Sequence, residues 1–201
     1  GVNHLPPASF AIIDIEGIKI HKYWDIHHIS VNNSINDVEA KSEIYSLVED
    51  ATRLRLRSDA NYGAFLSGGL DSSSVVGFMA KLSRSKINTY SLGFKESKYD
   101  ETYYAKLAAT RFGTNHKTTY MEYQYPIEKL WARFIWHAEQ PHGDVSFMPL
   151  DVISSEASKD VKMVLSGDGG DELLGGYKRT ALSLHNKSKF KNVLSKFYSF
   201  Y

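Results

Sequence analysis

Ala64-Phe65-Leu66-Ser67-Gly68-Gly69-Leu70-Asp71-Ser72-Ser73-Ser74 decides how the rest of the chain reads. Three apolar residues run into a Ser-Gly-Gly turn. An acid and three hydroxyls follow, and Val75, Val76, Phe78 and Met79 then recur at helical spacing. The pattern predicts a buried strand, a tight loop and the start of a helix. Paired glycines allow a sharp turn and leave no side chain between the backbone amides and a ligand. Where a helix begins, unsatisfied N–H groups and the positive end of the dipole face the turn, an environment that suits phosphate, and a diphosphate best. A plain strand-to-helix turn with a serine cap explains Gly-Gly on its own. It does not explain Ser-Gly-Gly-Leu-Asp-Ser-Ser kept whole after an apolar strand.

No Lys follows the glycines, so this is not the G-x-x-x-x-G-K-[ST] loop, and the G-x-G-x-x-G fingerprint is absent too. The stretch resembles the pyrophosphate loop (PP-loop) of the ATP-pyrophosphatase enzymes, which split ATP between its α and β phosphates. Asparagine, β-lactam, GMP and NAD synthetases and some tRNA-modifying ligases carry that loop, and the rest of the chain must choose among them.

With 201 residues the chain has room for one good core and an appended piece. Hydrophobic content of 42% and charged content of 23% are those of an ordinary soluble globular protein. A formal net charge of +1 gives no global field favouring nucleic acid or an anionic membrane, so neither is expected as a partner. There are no cysteines, which excludes disulfides, thiolate metal sites and a Cys nucleophile within this stretch and suits a reducing cytoplasm. No apolar run has the length of a membrane span, and no signal-peptide pattern opens the sequence.

Taken in order, Leu5-Pro6-Pro7 is a rigid turn. Ala11–Ile15, Glu16-Gly17 and Ile18–Ile20 read as a hairpin closed by Tyr23-Trp24-Asp25. His21, His27 and His28 cluster nearby, with a metal site as the minority reading. Asn33 or Asn36 can cap a helix whose Ile44, Leu47, Val48, Ala51 and Leu54 form one apolar face. Arg53, Arg55 and Arg57 at its end complement the dipole or, less readily, bind an anion. Ile87–Phe94, His116–Met121 and Val161–Leu165 read as strands. Helices are expected from Asp100 to a stop at Gly113, over Glu128–His137 and over Phe147–Ser158. Such alternation implies a parallel sheet with crossover helices, whose ligands bind beyond the C-terminal strand ends near a reversal of strand order. Both glycine-rich loops, Ser67–Gly69 and Ser166–Glu172, follow strands and would open on that edge, meeting at one crevice. After Glu172 come six Lys or Arg and no acid. Lys187, Lys189, Lys191 and Lys196 interleave with Phe190, Val193, Leu194, Phe197 and Tyr198, a pattern of a docking terminal helix or, less often, of a membrane or nucleic-acid helix.

Leu165-Ser166-Gly167-Asp168-Gly169-Gly170-Asp171-Glu172-Leu173-Leu174-Gly175-Gly176-Tyr177 resembles the second signature of the asparagine synthetase family. Tyr90-Ser91-Leu92-Gly93-Phe94 resembles the strand beside the adenine in that family. Tyr99-Asp100-Glu101, Ala105, Ala108 and His116 resemble the segment after it. Leu5-Pro6-Pro7 and Tyr23-Trp24-Asp25 look like the end of the preceding glutaminase domain. The resemblance implies an α/β fold of the adenine nucleotide alpha hydrolase type, a parallel sheet with helices on both faces, preceded by a short β-hairpin. Residues 1–30 would be the tail of a glutaminase domain and linker, and 31–201 a synthetase domain truncated at its C-terminus. The family's N-terminal Cys nucleophile and its downstream pyrophosphate-neutralising base are both missing from this stretch. It therefore reads as a piece of a larger enzyme, poorly active alone.

The function implied is an ATP-dependent amide ligase. It would activate aspartate or a related carboxylate as an acyl-adenylate and transfer ammonia derived from glutamine. By the same resemblance, Ser67, Gly68, Gly69, Ser72 and Ser73 cradle the β and γ phosphates, and Asp71 and Asp171 hold Mg2+. Either acid is also explained as a helix N-terminal charge stabilising the dipole. Phe65, Leu92, Ser166 and Gly167 border the adenosine, Phe65 and Leu92 being equally readable as plain core. Asp168 faces the reacting centre as a catalytic residue with Asp171, and Asp144 with Ser146 lines the acceptor side. A homodimer is allowed. Three readings compete with aspartate amidation: a different acceptor, a tRNA-modifying adenylating ligase, and a non-catalytic ATP-binding module. The acids of the second loop argue against the last two.

Overall fold

The computed structural model describes residues 3–32, 34–95, 100–121, 126–139, 143 and 146–178. The chain forms two compact units, Gly1–Tyr45 and Ser46–Tyr201.

The first unit holds an antiparallel hairpin of β1 (Ser9–Asp14) and β2 (Gly17–Lys22), with Asp14 opposite Gly17. The turn is Ile15-Glu16, one residue earlier than the expected Glu16-Gly17. Asp14 Oδ1 accepts the Glu16 N–H at 2.8 Å, and Gly17 takes φ +130° as the chain leaves the turn. Tyr23 closes the hairpin by donating its N–H to the Ala8 carbonyl at 2.9 Å. His27 and His28 lie in a short 3-10 turn capped by Asp25, whose Oδ1 accepts the His27 N–H. Hydrogen bonding to Lys22, then to that amide, holds the Asp25 carboxyl below the usual carboxylate range.

Helix α1 (Asp37–Arg55) is capped by Asn36, whose Oδ1 accepts N–H bonds from Val38 and Glu39, each at 3.0 Å, while Glu39 Oε2 accepts the Asn36 N–H. This is a reciprocal capping box. Arg55 donates to the Ala51 carbonyl at 3.0 Å, the helix-end role its position implied. On the expected apolar face Ile44, Leu47 and Leu54 are exposed, and the buried residue of the helix is Thr52. Thr52 tolerates burial because its hydroxyl donates to Val48 O at 2.8 Å, within the helix. Glu49, three residues earlier, pairs with Lys81 of the next helix at 2.7 Å and fixes which face turns inward.

The sheet of the second unit is parallel throughout. It comprises β3 (Tyr62–Phe65), β4 (Asn88–Gly93), β5 (Asn115–Tyr120) and β6 (Met163–Leu165) in the order β5-β4-β3-β6. Helices α2 (Leu70–Leu82), α3 (Thr102–Phe112), α4 (Ile127–Ala138) and α5 (Phe147–Ala157) make the crossovers, and α6 (Gly170–Leu174) follows β6, so Gly170–Glu172 of the expected loop already form the first turn of a helix. Alternate strand residues divide between two cores. Ala64, Leu66 and Leu165 pack with Val76 and Met79 of α2 and Ala105 and Ala109 of α3. Phe65, Tyr90, Leu92 and Val164 pack with Ile153 and Ala157 of α5. Both faces are therefore covered, as a parallel sheet requires. The chain steps outward from β3 through β4 to β5, then returns to the other side of β3 with β6, so the reversal of strand order lies between β3 and β6.

One polar clamp spans the second core. Tyr90, 1% exposed, donates its hydroxyl to Asp160 Oδ2 at 3.1 Å, and Lys117 Nζ reaches the same oxygen at 2.6 Å. Burial, reinforced by Asp160, pushes the Tyr90 phenol up to about 12. An unfolded tyrosine ionises near 10, so the folded state keeps its proton longer. The contribution of this group is fully present below the unfolded value and is lost as pH rises through the folded one. We expect Tyr90→Phe to cost about 1 kcal/mol at neutral pH, since Asp160 keeps Lys117 as a partner. We also expect a flatter fall in stability between the two values. Urea unfolding at neutral and alkaline pH checks both.

Candidate active site

The loops that leave β3 and β6 flank the reversal of strand order, where ligands of open α/β sheets bind. The first loop is held in shape by its own hydroxyls. Ser72 Oγ lies 2.9 Å from Ser67 Oγ and accepts the Ser67 N–H at 3.3 Å, and Ser67 Oγ accepts the Gly69 N–H at 3.2 Å. Two amides are thereby turned inward, so not every N–H of the loop faces outward as its sequence suggested. Those at the start of α2 are different. Gly69 is the N-cap and no side chain caps it, and the first helical bond runs from Ser73 N–H to Gly69 O. The amides just before that bond have no partner within the helix. Ser67 and Gly69 are exposed, Ser73 is half-buried and Ser72 is buried.

The two loops touch. A Cβ on Gly170 would stand 2.5 Å from Asp71 Cγ, and one on Gly167 would stand 2.7 Å from the Ser72 N. Only hydrogen at these positions lets the second loop lie against Asp71. The Asp71 carboxylate thus rests on the residue before Asp171, at the start of α6, whose N-cap Gly169 takes φ +92°. Asp171 itself lies over Gly176, near the far end of that helix. Asp168 is exposed and accepts the Ser166 hydroxyl at 2.7 Å. Phe65 and Leu92 are half-buried against the α5 core, which gives both a packing role. Asp71 thus meets the second loop at Gly167 and Gly170, the Asp171 side chain lies against Gly176, and the roles of Phe65 and Leu92 stay divided between core and site. Ser146 is the N-cap of α5. Asp144 and the basic segment Lys187–Tyr198 lie outside the described residues.

The chemistry of the donor set is that of a hard cation. Mg2+ takes oxygen ligands and is commonly held by one or two carboxylates plus phosphate oxygens. Asp71 and Asp171 are the carboxylates available for such an ion, Asp71 packed against the bare faces of Gly167 and Gly170 and Asp171 against Gly176. Among the described residues no group of three or more His, Cys, Asp or Glu is placed to hold a metal by itself, His21, His27 and His28 included. An apolar groove of about 510 Å³ between α4 and α5, crossed by the Arg133–Asp151 ion pair at 2.8 Å, includes no residue of either loop. No helix among the described residues is long and apolar enough to cross a membrane.

Sequence reading did not foresee what lies behind the first loop. Gly68 takes φ +85°, and a Cβ there would stand 2.4 Å from the Tyr104 carbonyl carbon and 2.5 Å from the Ala105 nitrogen. The first turn of α3 is therefore the floor under the loop. The only local trace of this is Ala105, a small residue that is fully buried there.

The family model described as asparagine synthase matches residues 43–198. The putative glutamine-hydrolyzing asparagine synthetase 2 of Methanocaldococcus jannaschii is 42% identical over 167 residues, 83% of this chain and 32% of that protein. The glutamine-hydrolyzing asparagine synthetase 1 of Bacillus subtilis is 34% identical over 156 residues, 77% of this chain and 24% of that one. The chain thus spans about a quarter to a third of the length of these curated relatives. Among solved structures, the glutamine-dependent NAD+ synthetase of Acinetobacter baumannii in complex with ADP aligns with a TM-score of 0.48 and 18% identity, over 83% of this chain and 31% of that one.

Proposed function

The chain belongs to the asparagine synthase family, and from that premise we propose that its second unit is the ATP-using part of an enzyme that amidates aspartate with ammonia drawn from glutamine. The observation that carries this reading is the contact of the two glycine loops at the switch point, with Asp71 seated on Gly170. An acid beside a polyphosphate is unfavourable unless a cation lies between them.

In this reading Ser67, Gly68, Gly69, Ser72 and Ser73 receive the β and γ phosphates, and the uncapped start of α2 adds its dipole. Phe65, Leu92, Ser166 and Gly167 border the adenosine. Asp71 and Asp171 would hold Mg2+, which when bound neutralises charge on the phosphates. An oxygen of the aspartate side-chain carboxylate attacks the α-phosphorus, and the bond from that phosphorus to the bridging oxygen breaks, releasing pyrophosphate. Ammonia then attacks the acyl carbon of the adenylate and loses a proton as AMP departs. Asp168, exposed at the loop mouth, faces the reacting centre. The loops' part is positioning and charge neutralisation, the terms that dominate phosphoryl-type transfer. Residues 1–30 belong, in the same reading, to the end of a glutaminase domain, and the setting is cytoplasmic.

The test uses the intact protein with ATP, Mg2+, ammonium and aspartate labelled with heavy oxygen in its carboxylates. We expect AMP, pyrophosphate and asparagine in equal amounts, with label in the AMP phosphate. Release of ADP and phosphate would overturn the reading. Turnover with another carboxylate in place of aspartate would keep the chemistry and change the acceptor.

A further inference from the structure

We propose that Asp100 is a positioning residue for the phosphate loop. It ties the end of β4 to the first turn of α3 and so fixes the floor on which Gly68 rests. The inference builds on the nucleotide reading above.

Asp100 Oδ2 accepts the Thr102 hydroxyl at 2.9 Å, and Oδ1 accepts the Thr102 N–H and the Phe94 N–H, each at 3.4 Å. A capping acid that served α3 alone would need only the bonds to Thr102. The bond to Phe94, the residue just past β4, references the helix to the C-terminal edge of the sheet. Thr102, 5% exposed, completes the joint: a Cβ on Gly93 would stand 3.0 Å from its Cγ2. Two residues further on, the Tyr104 and Ala105 backbone meets Gly68 with no room for a methyl group. The path from Asp100 to the loop therefore has no slack. If the first turn of α3 moves toward the loop it strikes Gly68, and if it moves away Gly68 loses its support.

The topology predicts a split in the consequences. α3 covers the face of the sheet that carries Ala64 and Leu66, whereas Phe65 and Leu92, on the adenosine side of the reading, pack on the opposite face against α5. Loosening α3 should therefore weaken the grip on phosphates and leave the adenosine end alone.

The experiment measures binding of inorganic pyrophosphate and of AMP to the intact protein, each with Mg2+, by calorimetry. We expect Asp100→Ala to weaken pyrophosphate binding about tenfold, with the KM for ATP rising in parallel. The AMP Kd and the KM for the carboxylate acceptor should not change. Asp100→Asn, which keeps Oδ1 as an acceptor for both amides, should restore most of the pyrophosphate affinity. Thr102→Val keeps the methyl contact with Gly93, removes the hydroxyl, and should shift pyrophosphate binding in the same direction by less. Equal losses for pyrophosphate and AMP that track a lower Tm would reduce Asp100 to a structural cap and overturn the proposal. So would unchanged pyrophosphate binding in a folded Asp100→Ala variant. If the unaltered protein binds neither pyrophosphate nor MgATP, the nucleotide reading itself falls, and that result is distinct from either of the others.

Discussion

Asp71→Asn in the intact protein should lower ATP-dependent pyrophosphate release about a thousandfold with little change in Tm. Asparagine has the shape of aspartate, so the fit against Gly167 and Gly170 survives and only the charge is lost. Two accounts of that charge predict opposite signs. If Asp71 serves only the dipole of α2, its removal costs under about 1 kcal/mol of stability and nothing else. It would even improve the binding of a polyphosphate, by deleting a like charge. If the carboxylate holds Mg2+ against the phosphates, its removal weakens MgATP binding and turnover. Titrating wild type and variant with ATP, with and without Mg2+, reads the sign directly. Tighter ATP binding by the variant in the presence of Mg2+ would end the metal role. Asp171→Asn should follow Asp71→Asn in sign.

Much of this arrangement is legible in the one-dimensional pattern. Apolar runs that end in Ser-Gly-Gly or Ser-Gly-Asp mark both strand-to-loop junctions, and Gly113, at φ +66°, ends α3 where a left-handed residue was expected. Where reading failed, a local bond had changed the accounting. Thr52 counts as polar in a periodicity plot, yet its hydroxyl is satisfied inside α1 and the residue is buried while Leu47 stays out. Ile15 counts as strand, yet it sits at the hairpin turn because the Asp14 side chain binds the next amide but one. The strand order was not legible at all. Right-handed crossovers constrain how each helix packs, but no residue of β6 states on which side of β3 it will pair. That both glycine loops open on one edge was legible from their places after strands, but the contact of Gly170 with Asp71 depends on that order and needed the structure.

That meeting supplies the second large effect. Gly170 opens α6, and its φ is not in the left-handed region, so helix propensity alone predicts that Gly170→Ala stabilises the protein by up to about 1 kcal/mol. The added methyl would stand 2.5 Å from Asp71 Cγ and 2.8 Å from its Oδ2, closer than packed atoms come. The atoms it meets belong to a short side chain, and the cheap response is rotation of the carboxylate out of its seat. Stability should therefore stay within about 1 kcal/mol of the parent, while ATP-dependent pyrophosphate release falls about a hundredfold, because a carboxylate displaced by an ångström no longer meets its partners. Gly167→Ala is the contrast. Its methyl would meet the Ser72 nitrogen at 2.7 Å, and backbone has no rotamer to escape into, so that variant should lose stability as well as activity. Adding Gly170→Ala to Asp71→Asn should then cost almost nothing further in activity, since the group it displaces has already lost its charge. Additive losses in the double variant would mean that the second loop does not act through Asp71.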